Sequence, residues 1–98
     1  MTAPPVFTVH PTLRYARLST KLQKGHRDFE ATEESAVEIL STDPYNRTRR
    51  HHIKKLEGVS AGEGQHRLTL GRWRFRYDIV GQVVLLSYCG LRREETYR

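Results

Sequence analysis

From residue 72 to residue 80 the chain reads RWRFRYDIV, with large apolar and polar side chains alternating through Ile79. That is the period of a β-strand with one buried and one open face. Trp73, Phe75, Tyr77 and Ile79 then point one way, and Arg72, Arg74, Arg76 and Asp78 the other. The preceding QHRLTL alternates in the same sense, with His66, Leu68 and Leu70 opposite Arg67 and Thr69. Gly71-Arg72 allows a tight turn between the two, and Val80-Gly81-Gln82 allows a second. The next run, VVLLSY, is apolar on both sides, as expected of a central strand covered on both faces. Three consecutive antiparallel strands therefore fill the C-terminal half, and the arginines share the face that the aromatics leave.

The N-terminal half has a different period. VFTVH (residues 6–10) reads as a short first strand stopped by Pro11. Pro11 and Thr12 open a helix with Tyr15, Leu18 and Leu22 on one face, and Gly25 punctuates it. A second helix is expected from Asp28 to Leu40, with Phe29, Ala36, Val37 and Leu40 as its apolar stripe. STDPYN ends it, because Asp43-Pro44 disfavours helix. HHIKKLEG reads as a strand or an extended lead-in, and VSAGEG as a loop. The expectation is one α+β domain over residues 1–98: an N-terminal strand, a helical hairpin and a three-stranded antiparallel meander in one sheet, helices on one face.

Charge and cysteine usage narrow the function. The net charge is +6, and residues 47–76 hold nine Lys or Arg against Glu57 and Glu63 alone. Surfaces usually mix their signs, so the clustering points to a polyanionic partner. No apolar run approaches the roughly 20 residues of a membrane helix. MTAPPVF lacks the pattern of a secretory signal. The single cysteine, Cys89, reads as inert packing in a reducing, cytoplasmic setting. His51-His52 with a distant His66 has poor zinc-site spacing, and GVSAGEG is followed by Gln65-His66 rather than a P-loop lysine. Neither a metal nor another cofactor is expected.

Taken in order, KKLEG, a short glycine-rich loop, HRLTLGRWRFRYDI, a glycine turn and VVLLSYCGLRREETY resemble the RelE/ParE superfamily of bacterial type II toxins. The resemblance covers residues 54–97, and the helical hairpin before them agrees in order and length. It implies one of two activities: ribosome-dependent cleavage of mRNA, as in RelE-type members, or non-enzymatic inhibition of DNA gyrase, as in ParE-type members. It also implies a cognate antitoxin protein as partner, the ribosome and mRNA as targets, no membrane, and contact with operator DNA only through the antitoxin. A basic RNA-binding module without toxicity is the third reading.

For the nuclease, the RNA's own 2′-OH attacks the adjacent phosphorus. The protein must take up a proton, stabilise the phosphorane and assist the leaving 5′-oxygen. By resemblance, Arg67 and Arg74 stabilise the phosphate, Arg92 (or Arg93) serves the leaving group or a second phosphate, and Tyr97 stacks on or orients the substrate base. Arg72, Arg76, Lys55 and Arg93 are the further RNA-binding candidates. One position departs from the family: Thr69 stands where the RelE branch carries a lysine suited to general-base work. Lys54, His51, His52 and His66 are the possible bases. His66 shares a face with Leu68, so it is expected toward the core, and of His51 and His52 only one should face the site.

Overall fold

A computed structural model describes residues 6–94. Among these residues the order is β1 (Thr8–Pro11), α1 (Leu13–Gly25), α2 (Phe29–Thr42), β2 (His52–Lys55), β3 (His66–Leu70), β4 (Trp73–Val80), β5 (Val83–Leu91) and a single 3-10 turn at Arg92–Glu94. The strands form one sheet in the order β1-β5-β4-β3-β2. β2 to β5 run as an antiparallel meander, and β1 lies parallel to β5. The α+β class and the helical hairpin agree with the sequence. The sheet has five strands rather than four, because HIKK pairs with β3 as a strand of its own. β5 also continues past Tyr88 to Leu91, three residues beyond the apolar run.

Thr12 caps α1, its hydroxyl accepting from the Tyr15 amide at 3.1 Å. The α1–α2 hairpin is clasped by one carboxylate. Glu33 accepts from the Tyr15 hydroxyl (2.7 Å), the Ser19 hydroxyl (2.6 Å) and the Gln23 side-chain amide (2.9 Å). Burial in this contact and the hydrogen bond to Glu33 both raise the pKa of the Tyr15 hydroxyl. Cys89 lies beneath the same contact, and burial pushes its thiol up to about 12, which suits inert packing.

The core lies between the helices and one face of the sheet. Phe29, Ala36 and Leu40 of α2 and Tyr15 of α1 meet Leu68, Trp73, Phe75, Tyr77, Val84, Leu86, Cys89 and Leu91. Phe29 is its hub, edge-on to Trp73 (4.9 Å between centroids) and stacked on Phe75 (6.1 Å). Val37, placed by helical spacing in the buried stripe, is 38 % exposed, and Ile39 packs against the core instead. β5 is central in the sheet, but its second face is not covered: Val83, Leu85 and Tyr88 are half-buried on the side opposite the helices.

Phe29→Ala removes a fully buried ring from this aromatic contact, and the expected cost is about 3–5 kcal/mol. Urea denaturation of the two chains measures it. A loss below about 1 kcal/mol would mean that the helices are held to the sheet elsewhere.

Candidate functional site

Because β4 buries Trp73, Phe75 and Tyr77, the strand pleat turns Arg74 and Arg76 to the face without helices. The register of β2, β3, β4 and β5 arranges that face in two rows. His52, Thr69, Arg74 and Gly90 are opposite one another in the first. Lys54, Arg67, Arg76 and Tyr88 are opposite one another in the second. Adjacent strands lie about 4.8 Å apart, so His52 and Arg74 stand about 10 Å apart across Thr69. A threonine there is short, and the space above it is open. His51, His52, Ile53, Lys54, Arg67, Thr69, Arg74 and Arg92 line a concavity of about 330 Å³. A second concavity of about 600 Å³ adjoins it through Arg74 and Arg92, and Gly71, Arg72, Leu91 and Arg93 complete its wall.

The walls of the site are held by carboxylates that are themselves used up in the process. Asp43, at the end of α2, accepts from the Arg47 amide (2.7 Å), the Thr48 amide (3.2 Å) and the Thr48 hydroxyl (2.6 Å). Burial opposes its charge, but these donors outweigh burial and hold its pKa below the ordinary value. Asn46, at φ 56°, closes the same loop, exchanging hydrogen bonds with the His51 backbone at 2.9 and 3.1 Å. This fixes His51 with its Nε2 3.8 Å from the Asp43 carboxylate and brings it to the concavity beside His52. Both histidines therefore border the site, where only one was expected. Asp78 is 5 % exposed and accepts from the amides of Gly64 (2.8 Å) and Gln65 (3.1 Å), which pins the loop between β2 and β3. Gly64, at φ +85°, has no room for a Cβ, which would lie 2.8 Å from Arg76 Cβ. Arg76 Nε donates to the Gly64 carbonyl at 3.2 Å.

Arg72 lies elsewhere than the alternation placed it, whereas His66 lies toward the core, as its strand phase required. Arg72 sits in the β3–β4 turn and reaches Asp28 at the start of α2, donating from Nη2 at 2.8 Å and Nε at 3.1 Å. Trp73 Nε1 donates to the same carboxylate at 2.9 Å. The hydrogen bond from Arg72 holds the Asp28 carboxyl well below the usual range, and that from Trp73 adds to it. The turn frees Arg72 from the strand pleat, so it does not share the row of Arg74 and Arg76. His66 lies on the helix face, stacked on Tyr77 (5.3 Å, 18°), and takes no part in the concavity. Burial, and then the nearby charge of Lys55, lower its pKa, so the fold favours the neutral ring. Lys55 is exposed at the outer edge, opposite His66 in the register, and borders a neighbouring concavity with Lys54 and Arg67. Arg92 and Arg93 are exposed at the mouth of the site, and Tyr97 lies outside the described residues.

Tyr88 escaped the sequence reading. Its ring lies over Gly90, where an added Cβ would stand 2.9 Å from the ring carbon Cζ and closer still to the hydroxyl. A glycine inside an otherwise apolar strand signals such a close approach. Arg14 of α1 lies over this ring, its Cζ 5.5 Å from the centroid.

No family model and no curated protein matches the chain. In three dimensions it is similar to a chain in the crystal structure of the archaeal RelE–RelB complex from Pyrococcus horikoshii OT3. The TM-score is 0.63, over 92 % of this chain and 99 % of that one, at 22 % sequence identity. The chain thus has a RelE-like fold, in agreement with the order of motifs in its C-terminal half.

Because the fold binds a proton at His66 less tightly than the unfolded chain does, stability is expected to fall as pH drops below about 6.5. Asp28 and Asp43, whose values are lowered, act in a separate window below about 3.8. Denaturation midpoints between about pH 7.5 and pH 5 should therefore shift less in His66→Phe than in the natural chain. An equal shift would assign the effect to other histidines.

Proposed function

We propose that this RelE-like chain is the toxin of a toxin–antitoxin pair and cleaves mRNA on the ribosome by attack of a 2′-OH on the adjacent phosphate. The observation that carries the reading is the pair of rows on the open face: cations from three strands and the 3-10 turn converge on one concavity, with an imidazole at its rim. A phosphate seated above Thr69 would have Arg74 on one side and His52 on the other, with Arg67 and Lys54 in the next row.

The chemistry follows from those positions. The nucleophile belongs to the substrate, so the protein need only accept its proton and stabilise charge. His52, at the rim of the concavity, is the first choice for the proton, and Lys54 the second. Arg67 and Arg74 supply charge to the phosphorane, where fixed cations act without reorganisation. Arg92, on the opposite rim, would meet the departing 5′-oxygen or the next phosphate. No metal is needed in this scheme. A cognate antitoxin would silence the chain by covering the concavity, and its acidic groups would suit the cations there.

One feature favours the gyrase-inhibitor reading instead. Thr69 occupies the position between His52 and Arg74 and is itself no base near neutral pH. In that case the same cations would form a docking surface and catalyse nothing. The two readings separate in one experiment, primer extension on a reporter mRNA soon after the chain is induced in a bacterial host. Breaks within the translated frame, absent from an untranslated copy, support the nuclease. Intact message with growth arrest and a DNA-damage response would transfer the protein to the other branch.

Arg74→Ala should lower ribosome-dependent cleavage by about 10²–10³, the cost of deleting one preorganised charge donor. Arg76→Ala, in the second row and bonded to the Gly64 carbonyl, should lose less than about tenfold. Equal losses, measured as single-turnover rates on purified ribosomes, would show that net charge alone matters.

A further inference from the structure

The open sheet face does not account for all of the exposed positive charge. Helix α1 carries Arg14, Arg17, Lys21 and Lys24, all exposed, and residues 12–27 contain no acid. Spacings of three, four and three put these four on one stripe, about 15 Å long at 1.5 Å per residue. Tyr15, Ser19 and Gln23, which bond Glu33 of α2, occupy the other flank, so the stripe faces away from α2. Helix α2 is the converse: Glu30, Glu34 and Glu38 are exposed, and residues 28–46 contain no Lys or Arg. A hairpin charged for solubility alone would mix its signs or pair them across the helices. Among the described residues, no carboxylate lies within ion-pair distance of Arg17, Lys21 or Lys24.

The stripe is also joined to the site. Arg14 stands over the Tyr88 ring, and Tyr88 stands opposite Arg76 at the end of the second row. Cations therefore continue from Lys54 and Arg67 through Arg76, past Tyr88, around the end of β1 and along α1. The flank has no apolar anchor beyond Leu13 at its start. Protein interfaces are built on apolar and aromatic cores depleted of charge, whereas a phosphate backbone needs only spaced cations.

We infer that the α1 stripe is a second RNA contact, one that grips the sugar–phosphate backbone of structured RNA while the open face holds the scissile strand. The inference rests on the reading that RNA occupies the open face. It adds a docking surface outside the site that is independent of base sequence.

The test uses the purified full chain, a labelled RNA hairpin made nuclease-resistant by 2′-O-methylation, and anisotropy titrations over a series of KCl concentrations. Arg17→Gln/Lys21→Gln/Lys24→Gln should reduce the slope of log K against log salt by about 2–3, the loss of three phosphate contacts. Its denaturation midpoint should stay that of the natural chain, because all three side chains are exposed. Glu30→Gln/Glu34→Gln/Glu38→Gln should leave the slope as it is. An unchanged slope in the α1 variant overturns the inference. So does an equal and opposite change in the α2 variant, since net charge would then be the cause. Loss of binding to an acidic helical peptide, with RNA binding intact, overturns it in favour of a protein partner. The nuclease reading is judged separately, by whether the natural chain cuts ribosome-bound message, so either idea can fail alone.

Discussion

The pleat of β4 governs this molecule. Trp73, Phe75 and Tyr77 are each at most 1 % exposed and pack beneath the helices. Once that row is buried, successive side chains must emerge on the other side, and in this strand they are arginines. The cross-strand register then carries the division to the neighbouring strands. Leu68 lies opposite Phe75 on the core side, while Thr69 lies opposite Arg74 and Arg67 opposite Arg76 on the open side. Packing and the electropositive face are therefore one constraint seen from two sides. A slip of one residue would bury the arginines and expose the aromatics, which is why such a register is strongly specified.

The acids complete the picture by their placement. Asp28 holds the β3–β4 turn to α2, Glu33 clasps the helices, Asp43 folds the loop leading to β2, and Asp78 pins the loop leading to β3. Each accepts at least two hydrogen bonds. Asp78 is the one acid of the described residues that the register assigns to the open face, and it is buried and turned to backbone amides. These four carboxylates are taken up as structural acceptors, and Glu57 is the acid that borders Lys54, Lys55 and Arg67. A net charge of +6 understates the segregation, since six acids lie in residues 28–43 alone.

Most of the fold was legible because it follows from short-range periods: 2.0 in β3 and β4, and 3.6 in α1 and α2. The short strand β2 was ambiguous because four residues carry too little period to separate strand from extended chain, and its identity depends on pairing with β3. Arg72 was misplaced because alternation was extended one residue into a turn, where Gly71, at φ 58°, redirects the chain. His66 behaved as its strand phase required, toward the core. His51 could not be placed from sequence, since its position depends on Asp43 and Asn46 folding the loop ahead of it. Tyr88 had a local signal in Gly90, but the partner that stacks on it, Arg14, comes from the far end of the chain.

Arg67 and Arg76 stand directly opposite each other on β3 and β4, and like charges in that position oppose pairing of the strands. A sequence selected for stability alone would place a threonine or an opposite charge at one of the two. The chain instead keeps both, and places Lys54 beside Arg67 in the same row. It balances the repulsion with a fully buried aromatic row on the other side of the same strand. A local rule broken at one place in an otherwise consistent fold is expected where a surface answers to function rather than to stability. The buried aromatic row is what lets the sheet carry these cations side by side on its other face.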